Sequence, residues 1–436
     1  MRSNEAARSQ RRIAPWKWTA KACVGFASFE DNGDAMKLTA IETIRLEEFP
    51  NLLWVYLHTD QGLVGLGETF YGPGAAEAHI HEVIAPYLLG QDPLEIDRHQ
   101  AHLLGYLGFV GSSAEMRGRS AVDIALWDLW GHATDQPIYR LLGGAVRDRI
   151  RVYNTCAGYR YVRSRPTQGT ANFGLGTSAG PYEDLDAFLV RADELAHSLL
   201  EMGITGMKIW PFDYAAEASQ GQYISDADLR TALAPFEQIR KAVGSRMDIM
   251  AELHSLWNRP TAIKICRALE SQDLLWIEDP VFMDHLHSLE EVARSTAAPI
   301  AVGETRGGRA DFRSLIEMDA LSMIILDLSW CGGLSEARKI AAIAEAWHVP
   351  VAFHDCSGPV VLAVSTHMAA HARNCFIQEI VRAFYYGWYR ELVTDLPPIE
   401  QGMIRPLARP GHGLQLLPDV PKRKDCRIRR SDSRRS

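Results

Sequence analysis

The sequence predicts an α/β protein, in which a (β/α)8 barrel follows a smaller α+β unit. From about residue 150 onward, short apolar strands alternate with amphipathic helices, as in 334–347, where apolar residues share one helix face. Eight strand candidates end near Asn154, Lys208, Leu253, Glu278, Gly303, Asp327, His354 and Glu379. From the third candidate on, polar residues at the strand ends recur in steps of 23 to 27 residues, which suits one β/α unit.

The chain before the barrel has a different pattern. Three segments alternate as strands of one sheet, and they are 38–46, 52–59 and 64–68. An apolar stripe in residues 119–131 then predicts a helix. Three strands followed by helices indicate an α+β domain over residues 37–148. The barrel would then occupy residues 149–380.

The two ends of the chain lie outside these patterns. Residues 1–36 have weak hydrophobic patterning, and we predict a disordered N-terminal extension. Residues 381–419 contain aromatic residues and then turns rich in proline, and they form a segment that leaves the barrel. Residues 420–436 are rich in Lys and Arg and are predicted to be a disordered, solvated tail. A nucleic-acid-binding arm is the alternative for this tail, but no other feature supports it.

Composition narrows the classes of partner and compartment. The 436 residues are 47% hydrophobic and 23% charged with a net charge of −8, so nucleic acid is not an expected partner. No apolar run reaches the roughly 18 residues of a membrane helix, so no membrane partner is expected. The seven cysteines are dispersed without a CxxC pair, which indicates reduced thiols and a cytoplasmic protein.

Three glutamates fall at the ends of three successive strands, namely Glu252, Glu278 and Glu304. In a barrel of this kind the catalytic residues sit at the C-terminal strand ends, so the three carboxylates should converge. Three negative charges at close range repel unless a cation neutralises them, and an all-oxygen ligand set favours Mg²⁺. The alternative is three strand-end acids that form separate salt bridges.

Two histidines accompany these acids. His254 follows Glu252 at a spacing that puts both side chains on one strand face, and it is a candidate proton donor beside the metal. The next two strands after Glu304 end in Asp327 and His354. A carboxylate on one imidazole nitrogen fixes the tautomer and makes the other nitrogen a better base. His354 is therefore a candidate base, although a lone histidine is more often structural.

Other strand-end residues have two interpretations each. Lys208 ends the second strand and either neutralises a substrate carboxylate or pairs with a ligand acid; the two roles are compatible. Glu379 on the eighth strand is either a satisfied core glutamate or an acid that hydrogen-bonds a substrate oxygen. The loop Phe70-Tyr71-Gly72-Pro73-Gly74 follows the third strand of the small domain and is a candidate substrate contact at the barrel mouth.

Several motifs together resemble the enolase superfamily, in its mandelate racemase/muconate lactonizing enzyme family. They are Ser120-Ala121-Val122-Asp123-Ile124-Ala125-Leu126-Trp127-Asp128, Leu141-Leu142-Gly143-Gly144, the three spaced glutamates, Asp327-Leu328-Ser329-Trp330-Cys331-Gly332-Gly333-Leu334-Ser335-Glu336, and the Asp327/His354 pair. The resemblance implies a modified TIM barrel, (β/α)7β-like, under an α+β capping domain built from both chain ends. It also implies Mg²⁺ on the three glutamates, abstraction of the proton α to a carboxylate, and a homo-oligomer.

Two details of the sequence separate branches of this family. Trp210 stands where racemases of the family carry the second Lys of a Lys-x-Lys pair, which argues against a two-base racemase. The order Glu252-Leu253-His254 resembles the acid-sugar dehydratases, galactonate dehydratase-like members in which a histidine two residues after a metal ligand protonates the leaving hydroxyl. By that resemblance His254 is the general acid and His354 the general base.

These features predict an enzyme, a hydro-lyase that uses Mg²⁺ to dehydrate a sugar acid (an aldonate) to a 2-keto-3-deoxy acid. Two alternatives stay open. One is a racemase or epimerase of a 2-hydroxy acid in the same superfamily. The other is a relative without catalysis that only binds an acid sugar.

Overall fold

The computed structural model describes residues 35–104, 113–163, 165–173, 180 and 182–433. The predicted N-terminal extension therefore lies outside the described residues, apart from its last two positions. Within the described ranges, no helix combines the length and the apolar character needed to cross a lipid bilayer.

The small domain is an antiparallel sheet with helices on one side. Its first three strands are β1 (Leu38–Leu46), β2 (Leu52–Thr59) and β3 (Val64–Phe70). Its helices are α1 (Pro73–His79), which a π-helical turn over Ile80–Ile84 joins to α2 (Ala85–Leu88), then α3 (Ile96–Leu103), α4 (Ala114–Thr134) and α5 (Ile138–Leu141). Helix α4 lies so close to β3 that a Cβ on Gly67 would be 1.9 Å from the carbonyl oxygen of Ala121. Only glycine fits there.

Eight parallel strands close into the predicted barrel, since the last strand pairs with the first. They are β4 (Ile150–Thr155), β5 (Gly206–Ile209), β6 (Asp248–Glu252), β7 (Trp276–Glu278), β8 (Ile300–Val302), β9 (Met323–Leu326), β10 (Val351–Phe353) and β11 (Cys375–Ile380). Every observed strand end lies within one residue of the predicted one. The predicted fold class is confirmed.

Helices cover the outside of the barrel between successive strands. They are α6 (Asp184–Val190) and α7 (Ala192–Glu201) after β4, α8 (Asp213–Ser219) and α9 (Asp226–Val243) after β5, then α10 (Arg259–Leu269), α11 (Leu286–Arg294), α12 (Arg309–Glu317), α13 (Gly333–Ala346) and α14 (Pro359–His371). After β11 there follow only short turns, α15 (Arg382–Tyr385) and a 3₁₀ turn over Trp388–Glu391. The eighth helix is thus replaced, as in a (β/α)7β barrel.

The inside of the barrel changes from apolar to polar along each strand. An apolar cluster fills the interior and comprises Tyr153, Met250, Trp276, Ala301, Met323, Ile325, Ala352 and Ile377. Strand residues two apart point to the same face. Met250 and Trp276 therefore lie directly below Glu252 and Glu278, so the apolar cluster lies beneath the acids.

The chain after the barrel returns to the capping domain. The short strands β12 (Ile399–Glu400) and β13 (Met403–Ile404) first extend the sheet from β4. The backbone N–H of His412 then donates a 3.0 Å hydrogen bond to Oδ1 of Asp128, which lies in α4. Asp128 also accepts from the N–H of Leu66 in β3 at 2.9 Å.

The prediction of a disordered basic tail is wrong for the described part of residues 420–436. Strand β14 (Cys426–Asp432) pairs antiparallel with β1, from Leu46 opposite Cys426 to Ala40 opposite Asp432. An ion pair joins the two strands, from Arg430 to Glu42 at 3.3 Å. An unpaired edge of β1 is a template for another strand. The composition of the tail could not reveal this partner, which lies nearly 400 residues earlier.

Candidate active site

The three glutamates meet at the C-terminal mouth of the barrel. Glu252 and Glu278 end β6 and β7 and lie opposite each other in the strand register, while Glu304 follows β8 by two residues. Each offers a carboxylate oxygen, and these oxygens lie within 4.8 Å of one another. Among the described residues this is the one group of acidic, His or Cys side chains with such a geometry.

Lys208 lies among the acids on the neighbouring strand β5. Its Nζ is 2.8 Å from Oε1 of Glu278, 3.2 Å from Oε2 of Glu252 and 3.3 Å from Oε1 of Glu379. Burial by itself would lower the pKa of Lys208, but the surrounding carboxylates outweigh it and raise the pKa well above its usual value. The side chain is an ammonium that bridges Glu278 and Glu379.

The acids still carry more negative charge than Lys208 neutralises. Oε2 of Glu252 is buried and receives no hydrogen bond, although the ammonium lies near it. Burial and the neighbouring carboxylates raise the pKa of Glu278 to about 7, despite the opposing effect of Lys208. A hard dication such as Mg²⁺ binds carboxylate oxygens, and a buried carboxylate oxygen without a hydrogen bond is a suitable ligand. The residues present therefore fit that ion.

His354 and Asp327 form the predicted pair. Nδ1 of His354 lies 2.6 Å from Oδ2 of Asp327, and Nε2 lies 3.3 Å from Oε2 of Glu304. Asp327 also accepts hydrogen bonds from the N–H of Ser329 at 2.6 Å and from the hydroxyl of Ser357. Burial lowers the pKa of His354, but Glu304, Glu379 and Asp327 reverse the shift and hold it well above the usual value.

His254 has a carboxylate partner that the sequence analysis missed. Nδ1 of His254 lies 2.8 Å from Oδ2 of Asp213, the first residue of α8. The backbone of His254 is left-handed (φ 51°), and its N–H donates to Oε1 of Glu252 at 2.7 Å. Burial opposes protonation, but Asp213 and Glu252 raise the pKa of His254 to about 10. The one sequence signal was an acid shortly after the end of the second barrel strand.

Glu379 is fully buried and satisfied on several sides. It accepts from the hydroxyl of Thr155 and from the N–H of Asp355 at 3.1 Å, and it lies 4.0 Å from Nε2 of His354. Sequence analysis also missed Asp279, a buried acid that follows Glu278 and accepts a long hydrogen bond of 3.4 Å from the N–H of Gly303.

A cavity opens above these groups, and all the predicted residues except Glu278 and Asp327 line it. Phe70 of the predicted loop contributes to the same wall, and its carbonyl accepts from Nε1 of Trp330 at 2.9 Å. His254 follows β6 and His354 follows β10. These strands are four apart in a closed barrel of eight, so the two imidazoles approach the cavity from opposite sides.

Comparisons with known proteins agree with this geometry. The family model of the mandelate racemase/muconate lactonizing enzyme N-terminal domain matches residues 32–143, and the enolase C-terminal domain-like model matches residues 191–420. A D-xylonate dehydratase from Haloferax volcanii is 30% identical over 383 residues, 87% of either chain. A D-galactonate dehydratase from Pectobacterium atrosepticum is 32% identical over 388 residues, 87% of this chain and 92% of that one.

A solved structure shares the whole architecture. It is an enolase of the mandelate racemase subgroup from Agrobacterium tumefaciens, 52% identical, with a TM-score of 0.81 over 91% of this chain and 99% of that chain. Fold, acid cluster and matches define an enolase-superfamily protein. Within that superfamily the chain belongs to the mandelate racemase/muconate lactonizing enzyme family, as its motifs predicted.

Proposed function

We propose that the protein is a hydro-lyase that dehydrates a sugar acid, at its simplest an aldonate, to a 2-keto-3-deoxy acid with Mg²⁺. One observation carries this proposal. Two imidazoles, each held by its own carboxylate, face one cavity from opposite strands above a triple-glutamate cluster. The sequence relatives named as D-xylonate and D-galactonate dehydratases support the same reaction class.

Glu252, Glu278 and Glu304 would hold Mg²⁺. When bound, the ion neutralises their charge and acts as a Lewis acid toward the carboxylate of the substrate. Lys208 borders the same space, so its ammonium stabilises the negative charge that develops on that carboxylate.

In its neutral form His354 removes the C2 proton through Nε2, because Asp327 occupies Nδ1. Glu304 is the charge that most raises the pKa of His354, and a cation held by Glu304 would offset that charge. The electron pair of the broken C2–H bond moves toward C1, where Lys208 and Glu379 contact the substrate oxygens. His254 then donates a proton to the 3-hydroxyl. The C3–O bond breaks, water leaves, and the resulting enol converts to the 2-keto acid.

The racemase alternative lacks a second base in the place expected for it. Trp210 is buried there, with its ring 5.7 Å from the ring of His254. An indole cannot accept a proton at neutral pH.

The binding-only alternative is disfavoured by the complete set of acid, base and ligand residues. Assembly as a homo-oligomer and a cytoplasmic location stay predictions.

NMR in D₂O with a library of aldonates and aldarates tests the reaction. We expect one or a few members to lose water and give a 2-keto-3-deoxy acid. Exchange of the C2 proton with inversion, and without loss of water, would establish a racemase or epimerase instead. Binding of an acid sugar with no reaction, in the presence of Mg²⁺, would favour the non-catalytic relative.

A further inference from the structure

A second cavity continues outward from the first. It has a volume of about 270 Å³, and the two cavities share six lining residues, namely Phe70, Tyr161, Gln168, His254, Glu304 and Trp330. A molecule bound by its C1 carboxylate at the glutamates therefore extends into this outer space. Among the described residues, Arg117 is the one arginine or lysine that lines it.

Arg117 lies in the first turns of α4, in the capping domain. Its guanidinium stacks near two aromatic rings, 5.4 Å from the centre of Tyr71 and 5.7 Å from that of Trp330. Within the described part of the chain, its buried Nε has no hydrogen-bond partner and its guanidinium forms no ion pair. The two rings flank the guanidinium, and its N–H groups form no hydrogen bond to another described residue.

This arrangement is costly without a ligand. A partly buried cation without an ion-pair partner loses hydration that the protein does not fully replace. Burial accordingly lowers the pKa of Arg117, and the charge of Asp327 only partly opposes the shift. A planar fork of free N–H groups matches a carboxylate, which accepts two parallel hydrogen bonds.

Trp330 lies between the guanidinium of Arg117 and the candidate base. The indole lies 5.4 Å from the ring of His354 and 5.7 Å from the guanidinium of Arg117, so one aromatic ring separates the candidate base from the cation. Asp213, Asp279 and Glu304 also line the outer cavity and repel an anion, whereas the cationic His254 belongs to the reacting end of the site. A second negative group away from the glutamates is therefore stabilised beside Arg117.

We propose that Arg117 binds a second carboxylate at the far end of the substrate, so that sugar diacids (aldarates) are preferred over the aldonates of the same configuration. This proposal rests on the proposed function, since the reacting end of the substrate is taken to sit at the three glutamates.

The test compares kcat/KM for an aldarate and for its matched aldonate in the natural protein and in Arg117→Gln. We expect the natural protein to favour the diacid by roughly 10- to 100-fold, the value of a charge-assisted hydrogen-bonded pair. Arg117→Gln should abolish that ratio, mainly through KM, and Arg117→Lys should restore part of it. Arg309→Gln is the matched control, because Arg309 is an exposed arginine at the start of α12 that pairs with Glu336. It should leave the ratio unchanged.

Calorimetric binding in the His354→Asn background separates this proposal from the proposed function. If no acid sugar is dehydrated, the proposed function is wrong. The role of Arg117 is then still supported if the diacid binds more tightly than the monoacid and Arg117→Gln removes that difference. Equal use and equal binding of diacid and monoacid would overturn it. Preference for an aldonate phosphorylated at the far end over the diacid would also overturn it, because the anion would then be a phosphate.

Discussion

Oδ2 of Asp213 lies 2.8 Å from Nδ1 of His254. The same relationship joins Asp327 to His354 at 2.6 Å on the other side of the barrel. In both pairs the carboxylate accepts a hydrogen bond from Nδ1 and leaves Nε2 turned toward the chemistry. The site is thus built from two similar units, and their surroundings decide which one takes a proton and which one gives it.

The first prediction concerns the base. His354→Asn should slow exchange of the C2 proton by about 10²- to 10⁴-fold, because a positioned base is removed. Exchange is followed by NMR in D₂O. His197→Asn, an exposed histidine of α7, is the control for folding and should behave like the natural protein. Exchange at the normal rate in His354→Asn would remove His354 as the base.

The second prediction separates acid from base. His254→Asn should slow the loss of water while C2 exchange stays measurable, because the proton donor is lost and the base is kept. Asp213→Asn should act in the same direction but less strongly, since it only positions the imidazole and supports its charge. The ratio of exchange to dehydration is the measurement. An unchanged ratio in both variants would leave His254 without a role in departure of the hydroxyl.

The third prediction concerns the metal. A chelator should abolish activity, and Mg²⁺ should restore it. Saturation with Mg²⁺ at about 100 times its Kd should raise the free energy of unfolding by about 2.7 kcal/mol. Glu252→Gln should lose this stabilisation, whereas Glu317→Gln, at the end of α12, should keep it. Chemical unfolding with and without Mg²⁺ measures both. Equal stabilisation of Glu252→Gln would remove Glu252 from the ligand set.

The fourth prediction is a pH dependence of stability. His367 is buried in α14, and burial lowers its pKa to about 3. Its Nδ1 accepts from the N–H of Tyr139 at 3.3 Å, and its Nε2 donates to the carbonyl of His412 at 3.3 Å, which is the bonding of a neutral ring. The unfolded chain, with a pKa of about 6.5, binds a proton that the folded chain does not.

Stability from His367 is therefore complete above about pH 6.5 and is lost as the pH falls toward 3. At pH 5 the loss should be about 2 kcal/mol. His367→Gln should show a correspondingly smaller change in unfolding free energy between pH 7 and pH 5. A slope as steep as that of the natural protein would assign the pH dependence to other groups.

The fifth prediction tests the terminal strand. A chain that ends at Lys424 loses β14 and leaves the edge of β1 unpaired, so it should unfold at lower denaturant, by about 1 to 3 kcal/mol. A chain that ends at Ser433 keeps the strand, including the 2.8 Å hydrogen bond from Ser433 to the carbonyl of Thr39, and should match the full chain. Equal stability of the two truncated chains would show that the pairing contributes nothing.

The sequence by itself determined the barrel, its strand ends and the set of acids at its mouth. Those features are local, because the hydrophobic pattern of a strand and the polar residue at its end can be recognised within a few consecutive positions. Lys208 and the three glutamates could be placed together because parallel strands end at one face. The family motifs then implied the cap.

Only the tertiary structure decided the rest, because it depends on pairs that are distant in sequence. Asp213 pairs with His254 because α8 begins close to the end of the neighbouring strand β6. Arg117 reached the cavity because α4 packs on β3 above the barrel. The basic tail became a strand because β1 offered it an edge that carries the acidic Glu42. Each outcome depends on which surfaces meet in the folded chain, and neither local pattern nor composition records that.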